Sequence, residues 1–208
     1  MDEKAVRGAK DVLAIMEAAS VRLATAEVLR DVRLAWYEVI SAAGRIFTKL
    51  EQGAKADGKS AAWFGRIRHV RSNDPLLSYA LHARNSHEHG IDEITANRGP
   101  SITIYHPEAG PIISFGAAHN ANDTISTSTT PLPLVEIVDG KEVPSEEQHV
   151  VWHGGFIQLS AVRDRGVEYS VPEIHLGTAI AEVSPSGLSA LLLTYCRSLI
   201  KDAEAMIK

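Results

Sequence analysis

Residues 75–89 read PLLSYALHARNSHEH, with Asn73 and Asp74 before them and Gly90 after. Asn73 or Asp74 can accept a hydrogen bond from an N–H of the first turn. Pro75 suits the first helical position, where no intrahelical N–H bond is lost. Leu76, Leu77, Ala80 and Ala83 then step at helical spacing, and Gly90 can adopt the left-handed conformation that ends a helix. A helix marked at both ends therefore carries a run of ionisable groups in its last turns.

The chain before it is also helical in texture. From Glu3 to about Gln52 there is no proline, and apolar residues recur every three or four positions. Val6, Ala9, Leu13, Met16 and Leu23 form one stripe, which Val28, Val32, Ala35, Val39, Ala43, Ile46 and Leu50 continue. One helix of that length is unusual, so a break is expected between Ala18 and Glu27. The segment 53–60, GAKADGKS, reads as a turn, with Ser60 capping a helix that carries Trp63, Phe64, Ile67 and Val70. At the other end of the chain Ser184 caps and Pro185 opens a helix whose Leu188, Leu191, Leu192, Tyr195, Leu199 and Met206 form a further stripe.

Between Pro100 and Val183 the texture changes to short segments rich in Ile, Val and aromatic residues, separated by Gly, Pro, Asn and Asp. These read as strands, and the Asp139–Gly140 pair is a tight-turn signal. The last helix carries a leucine stripe that matches the earlier helices, so it is expected to return to them. The fold class is mainly α: a helical bundle of residues 1–98 plus 184–208, with a β-rich insertion, 99–183, before the last helix, α+β overall. A helical domain followed by a separate α+β domain is the alternative.

Composition narrows the function. The apolar fraction of 45% and the formal net charge of −5 fit an ordinary globular chain, not a general nucleic-acid binder. A local basic tilt remains, with six Lys or Arg against four Asp or Glu between Lys59 and Arg98. Arg66, Arg68 and Arg71 are the phosphate-contact candidates there. The single cysteine, Cys196, excludes an internal disulfide and lies in a leucine-rich pattern, as a buried thiol would. No apolar run is long enough to span a bilayer and the N-terminus lacks a signal-peptide build, so a cytoplasmic location with no membrane contact is expected. GxGxxG, GxSxG and paired-acid motifs are all missing.

The chemistry lies in RNSHEH. Arg84 can hold a phosphate through two hydrogen bonds and neutralise growing negative charge. A histidine beside it can take or deliver a proton near neutral pH. The plain alternative is a polar helix C-terminus, where Arg and His favour the dipole and Arg84 pairs with Glu88 four residues on. That alternative leaves unexplained why Asn85, a poor helix former, sits inside the helix. A metal site is disfavoured, because His87 and His89 point about 200° apart on a helix. His82 with Glu88 or His69 could act only through tertiary contacts. Five histidines in the insertion (His106, His119, His149, His153, His175) read as surface or turn residues. Arg163-Asp164-Arg165 reads as a strand-end turn with its charges in solvent, and Trp36, Trp63 and Trp152 as core. No metal or cofactor is expected.

Arg84, Asn85 and His89, followed by Gly90, resemble the R-x4-6-H motif of the HEPN superfamily, and DPLLSYALHARNSHEHGI resembles a bacterial HEPN-like group. The resemblance covers residues 1–98 and 184–208 and is silent on the insertion. It implies an up-and-down four-helix bundle that forms a homodimer, with the two motifs facing each other across the interface. It further implies a metal-independent endoribonuclease, a hydrolase of the toxin–antitoxin or defence type with a cognate antitoxin as partner. The 2′-OH of RNA would attack the adjacent phosphate, leaving a 2′,3′-cyclic phosphate. His89 would be the general base or acid, Arg84 the charge stabiliser, and Asn85 the residue that orients one of them. Ile91 stands where the toxin branch often has an aromatic residue. The alternative is a non-catalytic, dimeric interaction or RNA-binding module.

Overall fold

The computed structural model describes residues 1–26, 28–88 and 159–207, the backbone of His89, and the backbone of the strands between 95 and 158. Five helices are present among the described residues: α1 (Glu3–Thr25), α2 (Leu29–Ala54), α3 (Gly58–Asn73), α4 (Pro75–His89) and α5 (Pro185–Glu204). The strands are β1 (Thr95–Arg98), β2 (Ser101–His106), β3 (Gly110–Gly116), β4 (Leu132–Val138) and β5 (Lys141–His153). They continue with β6 (Phe156–Leu159), β7 (Val162–Asp164), β8 (Val167–Tyr169), β9 (Ile174–His175) and β10 (Thr178–Ala179).

The helical unit comprises Met1–Ala26, Asp31–Ala96 and Leu159–Lys208. Its core follows the apolar stripes: Val6, Met16, Trp36, Ile46, Leu77 and Leu192 are fully or almost fully buried. Burying a side chain of that size is worth roughly 1.5–3 kcal/mol, so the stripes explain why these helices pack. Leu13 is only half-buried, and its neighbour Val12 takes the core position instead. The break between the first two helices falls after Thr25, at the late end of the expected window. α5 lies along α1, as its leucine stripe requires, with Ser189 Oγ donating to Ser20 Oγ at 3.0 Å.

Asp57, not Ser60, caps α3. Its Oδ1 accepts from Ser60 N at 2.9 Å and its Oδ2 from the Ser60 hydroxyl at 2.8 Å. The two residues are both good cap formers three positions apart, so sequence spacing alone does not separate them. Gly90, expected to end α4, lies outside the described residues.

The second unit, Glu27–Arg30 with Asn97–Gln158, contains a four-stranded antiparallel sheet in the order β3-β2-β5-β4. Val138 pairs with Lys141, so only Asp139 and Gly140, outside the described residues, join β4 to β5. The strands β7 to β10 belong instead to the helical unit, whereas the sequence reading assigned all of 99–183 to one insertion. The reason is that β7 and β9 pack on α4.

Two tight hairpins make that packing possible. Asp164 pairs with Val167 across Arg165 (φ 50°) and Gly166 (φ 82°), and His175 pairs with Thr178 across Leu176 (φ 48°) and Gly177 (φ 79°). Two consecutive left-handed residues match the twist of antiparallel strands. Leucine is an unfavourable choice for that conformation, and Leu176 is held in it by a bond from its N–H to Asp74 Oδ2 at 2.6 Å.

Asp74 therefore has two roles. Its Oδ1 accepts from Leu77 N at 2.9 Å, capping α4, and also meets His175 Nδ1 at 3.0 Å. Asp74→Ala should cost about 2–4 kcal/mol, combining a lost cap with buried donors left unpaired. The exposed Asn73→Ala should stay within about 0.5 kcal/mol. Urea unfolding followed by circular dichroism measures both, and equal losses would show that Asp74 is no anchor.

Candidate functional site on helix α4

Helix α4 presents polar groups in separate directions because its core residues, Leu76, Leu77, Ala80 and Ala83, take up the rest of its surface. His82 and Asn85, three residues apart, share one side. Both reach Asp164 on β7: His82 Nδ1 lies 2.8 Å from Asp164 Oδ2, and Asn85 Nδ2 donates to the same oxygen at 3.1 Å. The hairpin register explains this convergence. Val162 and Tyr169 pair opposite each other, and Asp164 shares Val162's inward face two residues on. The Tyr169 ring stacks on His82, with centroids 3.7 Å apart and planes 11° apart. Arg163 and Glu168, on the opposite face, are exposed and 3.9 Å apart.

Asp164 thus corrects the reading of 163–165 as a turn with all its charges in solvent. Its side chain is 12% exposed. The hydrogen bond from His82, then that from Asn85, holds its carboxyl below the usual carboxylate range. With Nδ1 engaged, the imidazole of His82 has only Nε2 left for other work, and Nε2 has no hydrogen-bond partner among the described residues. This is the arrangement in which a carboxylate fixes the tautomer and orientation of an imidazole.

Arg84 points elsewhere, towards α2. A Cβ added at Gly44 would overlap Arg84 Nη1 and stand 3.2 Å from its Cδ, so only glycine leaves room for this side chain. Glu88 Oε1 approaches Arg84 Nε at 3.5 Å, a Coulombic contact too long for a hydrogen bond. The buried Nε therefore has no hydrogen-bond partner among the described residues. The side chain is 24% exposed. His87 stacks on Tyr37 of α2, with centroids 4.0 Å apart. The backbone of His89 ends α4, and its side chain lies outside the described residues. Arg84 and Asn85, adjacent in the motif, are thus drawn to different neighbours.

The three α3 arginines separate in the same way. Arg66 is exposed. Arg68 is exposed, bonds Glu51 and lies 5.9 Å over the Phe64 ring. Arg71 is turned inwards, with its Cζ 4.1 Å from the Phe47 centroid. Burial, followed by the nearby positive charge of Arg84, pushes the Arg71 guanidinium down to about 10, which leaves it charged at neutral pH. Cys196 is buried, which pushes its thiol up to about 12 and makes it inert as a nucleophile. Trp36 and Trp63 are core as expected, whereas Trp152 lies outside the described side chains, as do His106, His119, His149 and His153.

Sequence reasoning did not find the Asp164–His82 and Asp74–His175 pairs. Their partners are 82 and 101 residues apart, and no spacing rule reaches that far. Among the described residues no group of three or more His, Cys, Asp or Glu could hold a metal ion. No helix among them is long and apolar enough to cross a membrane. Comparison with protein-family models, with curated proteins and with solved structures finds no match.

The lowered Asp164 carboxyl gives a pH test. A depressed folded value means that the contribution of Asp164 to stability is complete above the unfolded carboxylate range and is lost as pH falls through the folded value. The stability gap between wild type and Asp164→Asn should be constant from pH 7 to 5 and close progressively below about pH 4. A gap that persists unchanged at pH 2.5, measured as urea midpoints, would contradict the assignment.

Proposed function

We propose that the protein is a HEPN-like, metal-independent endoribonuclease acting through the C-terminal half of α4. The observation that carries this reading is the state of Arg84: a guanidinium partly exposed, with no hydrogen bond to any described residue. An arginine kept for structure alone would bond its donors within the chain. In this reaction His89 removes the proton from the ribose 2′-OH as O2′ bonds to phosphorus, the P–O5′ bond breaks, and the leaving oxygen takes up a proton. Arg84 neutralises the charge that gathers on the non-bridging oxygens. The products are a 2′,3′-cyclic phosphate and a 5′-hydroxyl. Pairing of two copies, with their motifs facing, supplies the groove, and a toxin or defence role with a cognate antitoxin follows from the family resemblance.

A second reading is favoured by one specific contact. Asn85, expected to orient Arg84 or His89, spends its amide on Asp164 instead. A residue committed to holding a hairpin suits a non-catalytic RNA-binding or interaction module of the same fold.

Cleavage of a mixed-sequence RNA in the presence of EDTA separates the two. The nuclease should leave cyclic phosphate ends, with Arg84→Ala and His89→Ala each slower by about 10²–10⁴-fold. Absence of cleavage by wild type, with the variants folded, would leave the binding module as the function.

A further inference from the structure

Two arginines from different helices meet on one face of α2. Arg84 of α4 fills the space left by Gly44, and Arg71 of α3 places its Cζ 4.1 Å from the Phe47 ring centroid. Gly44 and Phe47 are three residues apart, a rise of about 4.5 Å on the same side of the helix. The guanidinium groups are close enough for the charge of Arg84 to be felt at Arg71. The Nε atoms of both are buried without a hydrogen-bond partner among the described residues.

The surrounding anions do not satisfy them. Glu51, which faces Arg71, is bonded by Arg68. Glu88 stands 3.5 Å from Arg84 Nε, and no carboxylate is hydrogen-bonded to either guanidinium among the described residues. Tyr195 and Cys196 also face Arg71, but burial pushes both up to about 12, so they are neutral at pH 7. Partial burial of two like charges with their donors unmatched is unfavourable for the empty protein. It becomes favourable when an oxyanion supplies acceptors to both forks at once.

We propose that Arg71 and Arg84 together bind one phosphate group, with Gly44 and Phe47 forming the wall of the site. This names a second arm for the Arg84 site, and it rests on the reading of Arg84 as a contact to the RNA backbone, though not on cleavage. The ligand is a phosphodiester of single-stranded RNA. Gly44 is a positioning residue: a methyl group there leaves both charges in the chain but displaces the guanidinium of Arg84.

The test uses the full chain with two probes, inorganic phosphate and a single-stranded oligoribonucleotide, at matched ionic strength against chloride. Phosphate at about ten times its Kd should raise the wild-type Tm by about 3–6 °C. The shift should vanish in Arg71→Met, Arg84→Met and Gly44→Ala and survive in Arg197→Ala, which removes an exposed partner of Glu17 on α5. Alanine favours helix over glycine, so Gly44→Ala remains folded and reads position alone. For RNA, each arginine removed should reduce the slope of log affinity against log salt by about 0.7. Equal phosphate shifts in wild type and Arg71→Met would overturn the paired site, as would no shift in wild type. RNA cleavage that continues in Arg71→Met with unchanged KM would overturn the site while sparing the nuclease. A phosphate shift that needs both arginines, without RNA binding, would support the site, assign it to a free phosphate or nucleotide, and overturn the nuclease.

Discussion

The buried carboxylate of Asp74 is the contact on which the geometry of α4 depends. It stands where α3 ends and α4 begins, and it accepts from the first turn of α4, from Leu176 N and from the His175 ring. A carboxylate at a helix N-terminus is favoured by the exposed N–H groups and by the helix dipole. The same charge holds a leucine in a left-handed conformation that it would otherwise avoid. Once that corner is fixed, the β7–β8 hairpin is carried onto the far half of α4, where Asp164 finds His82 and Asn85.

Helix α4 is thus tied to the strand segment by two acids, one at its start and one in its second half. Tyr79, between them, donates its hydroxyl to Ser160 O at 2.7 Å. These polar ties explain why a helix with so few large apolar residues keeps a defined rotation about its axis. Rotation decides the chemistry. With His82 and Asn85 turned to β7, Arg84 necessarily faces α2, where Gly44 admits it. A different docking angle would bury the arginine against a methyl group or release it to solvent.

The arrangement also accounts for the division of labour along the second half of α4. Asn85 and His82 are spent on architecture, His87 is stacked on Tyr37, and Arg84 keeps its donors. Groups that hydrogen-bond inside the chain lose little by doing so. A guanidinium left unbonded and partly buried needs a reason, and an anion is the simplest one that chemistry supplies.

The sequence by itself determined the helices, because apolar spacing and end signals act within a few residues. Pro75, Pro185 and Ser184 mark starts that the structure retains, and the stripe from Val32 to Leu50 is buried throughout. Cap choice was only partly legible: Asp74 was one of two candidates, and Asp57 was hidden by Ser60. The short hairpins at 164–167 and 175–178 were obscured because Arg and Leu occupy left-handed positions where Asn or Gly is the usual signal. Tertiary structure alone decided that Asp164 and His175 are anchors, that β7 to β10 belong with the helices, and that Arg71 lies beside Arg84. Each of these joins residues from separate elements, and the direction of a side chain around a helix acquires meaning only when a neighbour is docked against it.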